Sequence, residues 1–457
     1  MSALAGWGTF AIVGAPAVLL AILGASSLAG RPLPERVVGI LVKLAFIVSL
    51  ASCFVLAARM AASDVPRFSI PLGEWFATPD YHFELGLLVD HLSLTFATLT
   101  AALCGLVGAF AHRYLHREPG YHRFFILLSL FALGMMLTVL AGSLEMVYAA
   151  WELVGLSSAL LIAFYHERRQ PLQNGFLTFA VYRVCDLGLL SAVVLVHHFC
   201  GTGAFEKLFG AGSEAGAPLS ENQAIVVALL LFVAAIGKSA QLPVSGWLPR
   251  AMEGPTPSSA IFYGALSVHA GAFLLLRTAP IFENAPLVSW LVVVVGLLTA
   301  AHAALVEQTQ TDIKGALAYA SLTQVGIILA EIGLGLRLIP LLHIVGHACS
   351  RSLQFLRAPS LLHDLHQVES AVGEHLAHTG MRFERIAPAG ARAWLYRLAL
   401  ERAYLDELLD KLIVRPFQRV FQFFDGLEQR WLAGLESVLR GRARPPTGAV
   451  EGDGSGV

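Results

Sequence analysis

Residues 224–257 read AIVVALLLFVAAIGKSAQLPVSGWLPRAMEGPTP, and this stretch decides the fold. Its first part, 224–236, is apolar and uncharged, so Lys238 is carried deep into a hydrophobic segment. An ionisable side chain inside a membrane span is costly to bury, and its default reading is functional. Pro243, Pro249, Pro255 and Pro257 follow and prevent one continuous helix. Broken backbone at membrane depth is tolerated only where protein or water covers its freed polar groups. The stretch therefore predicts a charge-handling site at mid-membrane, beside a broken helix near 239–257.

The rest of the chain agrees with a membrane setting. Of 457 residues, 56% are hydrophobic and 14% charged, where a soluble domain runs to about a quarter charged. The expected fold class is an all-α integral membrane protein. A net charge of −1 gives no nucleic-acid footprint. The five cysteines are scattered with no CxxC pair, which argues against a disulfide framework or a cysteine metal site. The first apolar run lacks a basic stretch before it and reads as a retained span.

Apolar runs of spanning length fall near 8–29, 37–58, 89–111, 124–142, 144–165, 175–200, 223–240, 258–277, 287–307, 314–335 and 338–356, about eleven transmembrane helices in all. Segment 66–88 alternates and predicts a short extracytoplasmic hairpin. Arg31, Arg36, Arg113, Arg117, Arg123, Arg168 and Arg169 lie in the loops after odd-numbered spans, against Arg59, Arg67 and Lys207 in the others. The positive-inside rule then places the N-terminus outside and the C-terminus in the cytoplasm. The expected domains are a polytopic unit over 1–356, a cytoplasmic amphipathic, partner-docking region over 357–440, and a disordered tail over 441–457. In 394–440, Trp394, Leu395, Leu398, Leu405, Leu408, Leu409, Leu412 and Ile413 recur at helical spacing among charges. Such a segment lies on the membrane surface or packs against a partner helix.

The ionisable groups inside the expected spans are few. Glu145 and Glu152 are seven residues apart, on one face of the fifth span. Glu145 lies toward the span's end and reads either as a modifier or as a solvent-facing group. Asp186 follows Arg183 in the sixth span, as a static pair or as part of a relay. His269 sits in the eighth, and Lys314 and Glu331 bound the tenth. His343, His347 and Arg351 share one face of the eleventh by their i, i+4, i+8 spacing. The two histidines have metal-ligand spacing, but no carboxylate near them in sequence completes a site, and no metal is expected. Buried and coupled Glu and Lys suit proton exchange near neutral pH. GxSxG, P-loop and dinucleotide motifs are absent from any suitable context, so covalent catalysis is not expected.

The runs AAWELVGLSSALLIAFYH (149–166), YRVCDLG (182–188), GKSAQLPVSGWLPRAMEGPTPSSA (237–260) and TDIKGALAYASLTQVG (311–326) resemble the antiporter-like membrane subunits of respiratory complex I and Mrp antiporters. The resemblance covers most of 85–356. It implies that Glu152 of the WE motif and Lys238 of the GKSAQLP motif form a central ion pair of a proton path. Asp186, Lys314, His343 and His347 are its further relay positions. It also implies two inverted five-helix repeats, of which this chain carries one complete unit and a second that ends after its third helix. Two departures matter. Tyr263 stands where the family motif SALIHAAT has its His, with His269 six residues on and therefore on a different face of a regular helix. Arg351 replaces the Lys of HxxxHAxxKALLFL and acts as a fixed counter-charge, since arginine does not release its proton.

With LRAPSLLHDLHQVESAVG (356–373), these departures resemble the DabB-type membrane subunits of DAB inorganic-carbon accumulation complexes. That resemblance implies a cation-conducting subunit (proton, alternatively sodium) in the cell inner membrane. It would drive CO2 hydration by a large DabA-like partner docked on the cytoplasmic face. The zinc belongs to that partner, and this chain itself carries no cofactor and contacts membrane lipid. The other reading is a proton-pumping subunit of a complex I-like or membrane hydrogenase redox complex.

Overall fold

A computed structural model describes residues 2–63, 67–78, 81–209, 219–372 and 388–442. Ten helices among them are long and apolar enough to cross a membrane. They include α1 (Ser2–Leu28), α2 (Glu35–Ser63), α3 (His91–Tyr114), α4 (Tyr121–Leu140), α5 (Leu144–Ile162), α6 (Arg169–Cys200) and α8 (Glu221–Lys238), α7 being the short turn Phe205–Phe209. The eighth span, Thr256–Arg277, is followed by the short α12 (Ala279–Glu283), by α13 (Pro286–Glu307) and by α14 (Ile313–Gly333). The eleventh expected span, 338–356, is the first part of a longer helix, α15 (Leu338–Val372). Its row of His343, His347 and Arg351 makes it less apolar than the other ten.

The bundle is apolar outside as well as inside. Ile40, Leu44, Phe54, Leu187, Val294 and Leu298 are all exposed, as expected where lipid rather than water is the solvent. The expected hairpin is present: β1 (Arg67–Thr78) pairs antiparallel with β2 (Tyr81–Asp90), with register shifts at Pro71/Gly73 and Glu74/Phe76. Asp90 then starts α3 through a reciprocal capping box with Ser93, each side chain taking the other's backbone N–H. The hairpin shares one end of the bundle with the α4–α5 turn and α7. The Gly142 N–H donates to the Gly86 carbonyl at 2.8 Å, and the Phe205 N–H to that of Gly142 at 2.9 Å.

Two consecutive spans are broken, one as expected and one not. After α8 the chain turns through Ser239–Gly246 into the short α9 (Trp247–Arg250). Ala240 adopts a left-handed conformation there (φ 51°). The freed groups find partners: the Leu242 N–H bonds Thr299 Oγ1 at 3.1 Å, and Trp247 Nε1 donates to the Gly237 carbonyl at 3.1 Å. The eighth span, expected as a regular helix over 258–277, is instead a chain of short pieces. These are α10 (Thr256–Ser258), a π turn (Ser259–Tyr263), a 3-10 turn (Ser267–His269) and α11 (Ala270–Arg277).

Close packing accounts for the second break. A Cβ on Gly264 would lie 2.9 Å from both the Ala260 carbonyl and the Phe355 ring, so α15 approaches the backbone itself. Side chains then satisfy the carbonyls that the break frees. Ser352 Oγ donates to Ala260 O at 3.3 Å, Ser239 Oγ to Val268 O at 2.7 Å, and His269 Nδ1 to Ala265 O. The apolar part of this span is fully buried within the bundle, a setting in which such backbone is tolerated in a membrane.

Residues Met1–Asp406 and Glu407–Val457 form two compact units. In the first, a helix Ala389–Leu400 leads into left-handed residues Arg402, Ala403 and Tyr404, and Arg250 pairs with Asp406 at 3.0 Å. In the second, helix Arg415–Arg442 exposes Phe421, Phe424, Leu427, Trp431 and Leu435 at helical spacing. The tail expected to be disordered lies outside the described residues beyond Arg442.

Candidate functional site

The middle of the bundle holds a charge network on α5, α6 and α8. Glycines let these helices approach. A Cβ on Gly237 would lie 2.4 Å from that of Cys185, and one on Gly188 would lie 2.5 Å from the Leu230 carbonyl. Lys238, fully buried, reaches over Gly155, where a Cβ would meet its Nζ at 2.5 Å. The Lys238 ammonium stands 3.8 Å from Asp186 Oδ2, 3.9 Å from the centre of the Tyr182 ring and 5.3 Å from that of Trp151. Both faces attract a cation electrostatically.

Asp186 is the hub. Trp151 Nε1 donates to its Oδ1 at 2.6 Å and Arg183 to its Oδ2 at 2.9 Å. Arg183 also pairs with Glu152. The direct Glu152–Lys238 pair implied by the motifs is therefore not what the fold builds. Arg183 stands between the two, and the order is Glu152–Arg183–Asp186–Lys238. The cause is register: Arg183 precedes Asp186 by three residues, so both project from one face of α6 toward α5 and α8.

A second polar group lies on the broken eighth span, α14 and α15. Tyr263 and His269 do face different ways. The Tyr263 hydroxyl donates to Ser158 O on α5 at 3.3 Å, while His269 Nε2 meets His347 Nδ1 at 3.1 Å. With His269 Nδ1 donating to Ala265 O, its Nε2 is the acceptor and His347 carries its proton on Nδ1. One turn away, His343 Nδ1 meets Glu331 Oε1 at 2.9 Å and its Nε2 meets Gln324 Oε1 at 3.0 Å. The sequence reading finds no carboxylate near these histidines; the fold supplies Glu331 from α14. Arg351 lies in the electrostatic field of Glu307.

Ser239 joins the two groups, because it follows Lys238 and bonds the carbonyl of Val268, the neighbour of His269. Lys314 belongs to neither. Its Nζ donates to the carbonyls of Gly254 at 3.2 Å and Met252 at 3.4 Å, at the end of the bundle away from the hairpin. There it helps line a polar cavity of about 560 Å³ with Arg168, Arg250, Glu253 and Arg402. Glu145 is no solvent-facing group: its side chain is 13% exposed and accepts from His197 Nδ1 at 3.0 Å. Sequence reading missed His197, Gln324 and the bridging role of Arg183. His197 was open to detection as an ionisable residue inside an apolar run, whereas Gln324 carries no such signal.

Residues 141–376 match the family described as NADH:quinone oxidoreductase/Mrp antiporter, transmembrane, and residues 75–125 match the N-terminus of complex I chain 5. The chain is 37% identical over 297 residues to the chloroplastic NAD(P)H-quinone oxidoreductase subunit 5 of Nephroselmis olivacea, covering 65% of this chain and 46% of that one. It is 37% identical over 299 residues to chain 5 of the Synechocystis enzyme, covering 65% and 44%. It thus spans under half the length of these two relatives. A solved Mrp complex from a Dietzia species superposes with a TM-score of 0.63 at 28% identity, over 86% of this chain and 42% of that one. An archaeal membrane-bound sulfane sulfur reductase shares the fold, with a TM-score of 0.64 at 18% identity over 86% and 76%. This chain is a multi-pass membrane protein of the NADH:quinone oxidoreductase/Mrp antiporter family.

Proposed function

We propose that this chain is a proton-conducting subunit of a larger energy-coupled membrane assembly. The observation that carries the reading is the charge-balanced chain Glu152–Arg183–Asp186–Lys238, with Asp186 and Lys238 buried and Arg183 and Glu152 half-buried. Its formal charges cancel (two carboxylates against two cations), so a proton added to or removed from either end reorganises the whole. Lys238 and Glu152 are the exchanging groups; Asp186 and Arg183 couple them. His269, His347 and His343 continue the path through Ser239, and Arg351 is a fixed charge that bounds it. Lys314 is assigned to the polar cavity at the end away from the hairpin, where protons enter or leave. Sodium is the alternative cation.

The curated relatives favour a redox-driven, complex I-like quinone oxidoreductase assembly as the setting. Arg351 and Tyr263, at positions where the family motifs carry Lys and His, favour the other setting, inorganic-carbon accumulation of the DabB type. In that case the coupled chemistry is CO2 hydration by a large DabA-like zinc partner on the cytoplasmic face, with no cofactor in this chain. The excess of arginine in the loops of the opposite end supports an orientation with the hairpin end outside and that opposite end in the cytoplasm.

Purification of the tagged chain from its native membranes separates the settings. Sibling membrane subunits with flavin or iron–sulfur absorption identify the redox assembly, and one large companion with stoichiometric zinc identifies the carbon assembly. Reconstituted into vesicles, the assembly is expected to carry protons, and Lys238→Ala to abolish that flux while the subunits still co-purify. Full flux in that variant overturns the proposal.

A further inference from the structure

A second titratable pair lies outside the central network, at the hairpin end of the same two helices. Glu145 Oε1 and His197 Nδ1 are 3.0 Å apart, and the His197 side chain is 2% exposed. The pair is enclosed by the hairpin and by the segment that leads into α7. The Phe83 ring of β2 stacks on the His197 imidazole, with centroids 4.8 Å apart and planes 18° from parallel. Gly203 closes the other side so tightly that a Cβ there would stand 2.1 Å from Glu145 Oε1. The Leu144 N–H donates to the Gly203 carbonyl at 3.1 Å, which pins this lid to the first turn of α5.

The charged groups around the niche are mostly occupied with one another. Lys207 pairs with Glu84 at 2.5 Å, and Arg67 donates to the Phe209 carbonyl at 3.3 Å. Arg277 pairs with Asp90 and lies over the Phe205 ring at 5.7 Å. Within α5, Glu145 and Glu152 are two turns apart on one face, about 10 Å along the axis, with Tyr148 on the same face between them. Within α6, His197 and Asp186 are separated by eleven residues, three turns, and again share a face. The α5 face therefore links the hairpin end to the central network through Tyr148, while the α6 residues between Asp186 and His197 on that face, Leu190 and Val193, are apolar.

We propose that Glu145 and His197 form a proton-exchange port that connects the hairpin side of the membrane to Glu152. The inference rests on the proton-conducting reading above. In the loading step the imidazole takes a proton from water and becomes cationic. Its Nδ1 proton then moves to Glu145 Oε1, leaving a neutral imidazole and a neutral carboxylic acid. Passage of that proton toward Glu152 restores the carboxylate, and rotation of the imidazole, which now carries its proton on Nε2, returns an N–H to Glu145 for the next cycle. Phe83 and Gly203 limit access of water to the pair, so the hairpin acts as the rim of the port.

The test uses the intact assembly in vesicles, with pH varied only on the hairpin side and flux followed by a pH-sensitive dye. Wild-type flux is expected to follow the pH of that side. Glu145→Gln, which keeps size and shape, is expected to lower flux by about 100-fold and to flatten the dependence. His197→Gln is expected to shift the profile. Unchanged rate and profile in Glu145→Gln, while Lys238→Ala stops flux, overturns the port and leaves the proposed function standing. Flux that persists in Lys238→Ala refutes the proposed function itself. If Glu145→Gln also lowers the melting temperature, Glu145→Asp decides. Recovered flux with a one-sided pH dependence supports the port, and a native melting temperature without flux overturns it.

Discussion

The two buried polar regions of this bundle are made in different ways. On α5, α6 and α8 the groups are formal charges in balanced number, mounted on helices that run unbroken as far as Lys238. Around the eighth span, α14 and α15 they are mainly imidazoles, and the helix that presents His269 is broken into short pieces. The first region is held by ion pairs whose partners cannot be removed singly without stranding a charge. The second is held by side chains that replace lost helical hydrogen bonds, so its members are structural and ionisable at once. Charge fixes the one, and backbone geometry fixes the other.

The largest effect is expected at the hub of the charged region. Asp186→Asn leaves Lys238 and Arg183 facing a neutral amide in a site that is 2% exposed. The expected cost is about 3–5 kcal/mol, with proton flux lost. Thermal melting of the assembly and vesicle flux measure the two. A variant that melts within a degree of wild type would break the comparison, since the charged region would then not depend on its ion pairs.

Next is the clamp that holds the broken span from its hairpin end. Arg277 pairs with Asp90, its second guanidinium nitrogen bonding Oδ1 at 3.1 Å. Burial pushes the Asp90 carboxyl up, but the charge and hydrogen bonds of Arg277, with those of Ser93, outweigh it and hold the carboxyl below its usual value. A depressed carboxylate adds stability that is fully present above its unfolded value, about pH 4, and is lost as pH falls through the folded one. Arg277→Gln should therefore cost about 2 kcal/mol at pH 7, and the gap to wild type should close below about pH 4. Melting temperatures across that range check it. A gap that stays constant with pH would assign Arg277 a packing role through Phe205 and Phe273 rather than an electrostatic one.

A charge in an apolar run is visible without any structure, so Glu152, Asp186, Lys238 and the α15 row were legible. The Pro-rich break after Lys238 was equally plain. The break in the eighth span was not, because 259–269 contains no proline. What breaks it is the approach of α15 to Gly264, a tertiary contact. The same limit hid the partners. That Arg183 reaches Glu152, Glu331 reaches His343 and His269 reaches His347 depends on which helices pack together, and helical spacing reports only which residues share a face.

The imidazole region should respond more mildly. His347→Gln retains a polar group opposite His269, and the expected loss of stability is about 1 kcal/mol, with flux reduced but measurable. A loss of stability as large as that of Asp186→Asn would erase the distinction between the regions.

Arg351→Lys should have the smallest effect on stability and the most telling one on function. The guanidinium keeps its proton under all ordinary conditions, so it can repel or attract a mobile proton but not carry one. An ammonium in the same place keeps the charge facing Glu307 and is able to release its proton. Charge balance on α15 is thereby preserved, and melting should change by less than about 1 kcal/mol. Passive proton permeability, measured in vesicles with no driving reaction, should rise, because a fixed charge beside His347 becomes an exchangeable one. Unchanged permeability would mean that the path does not pass Arg351 and that the histidine pair ends it.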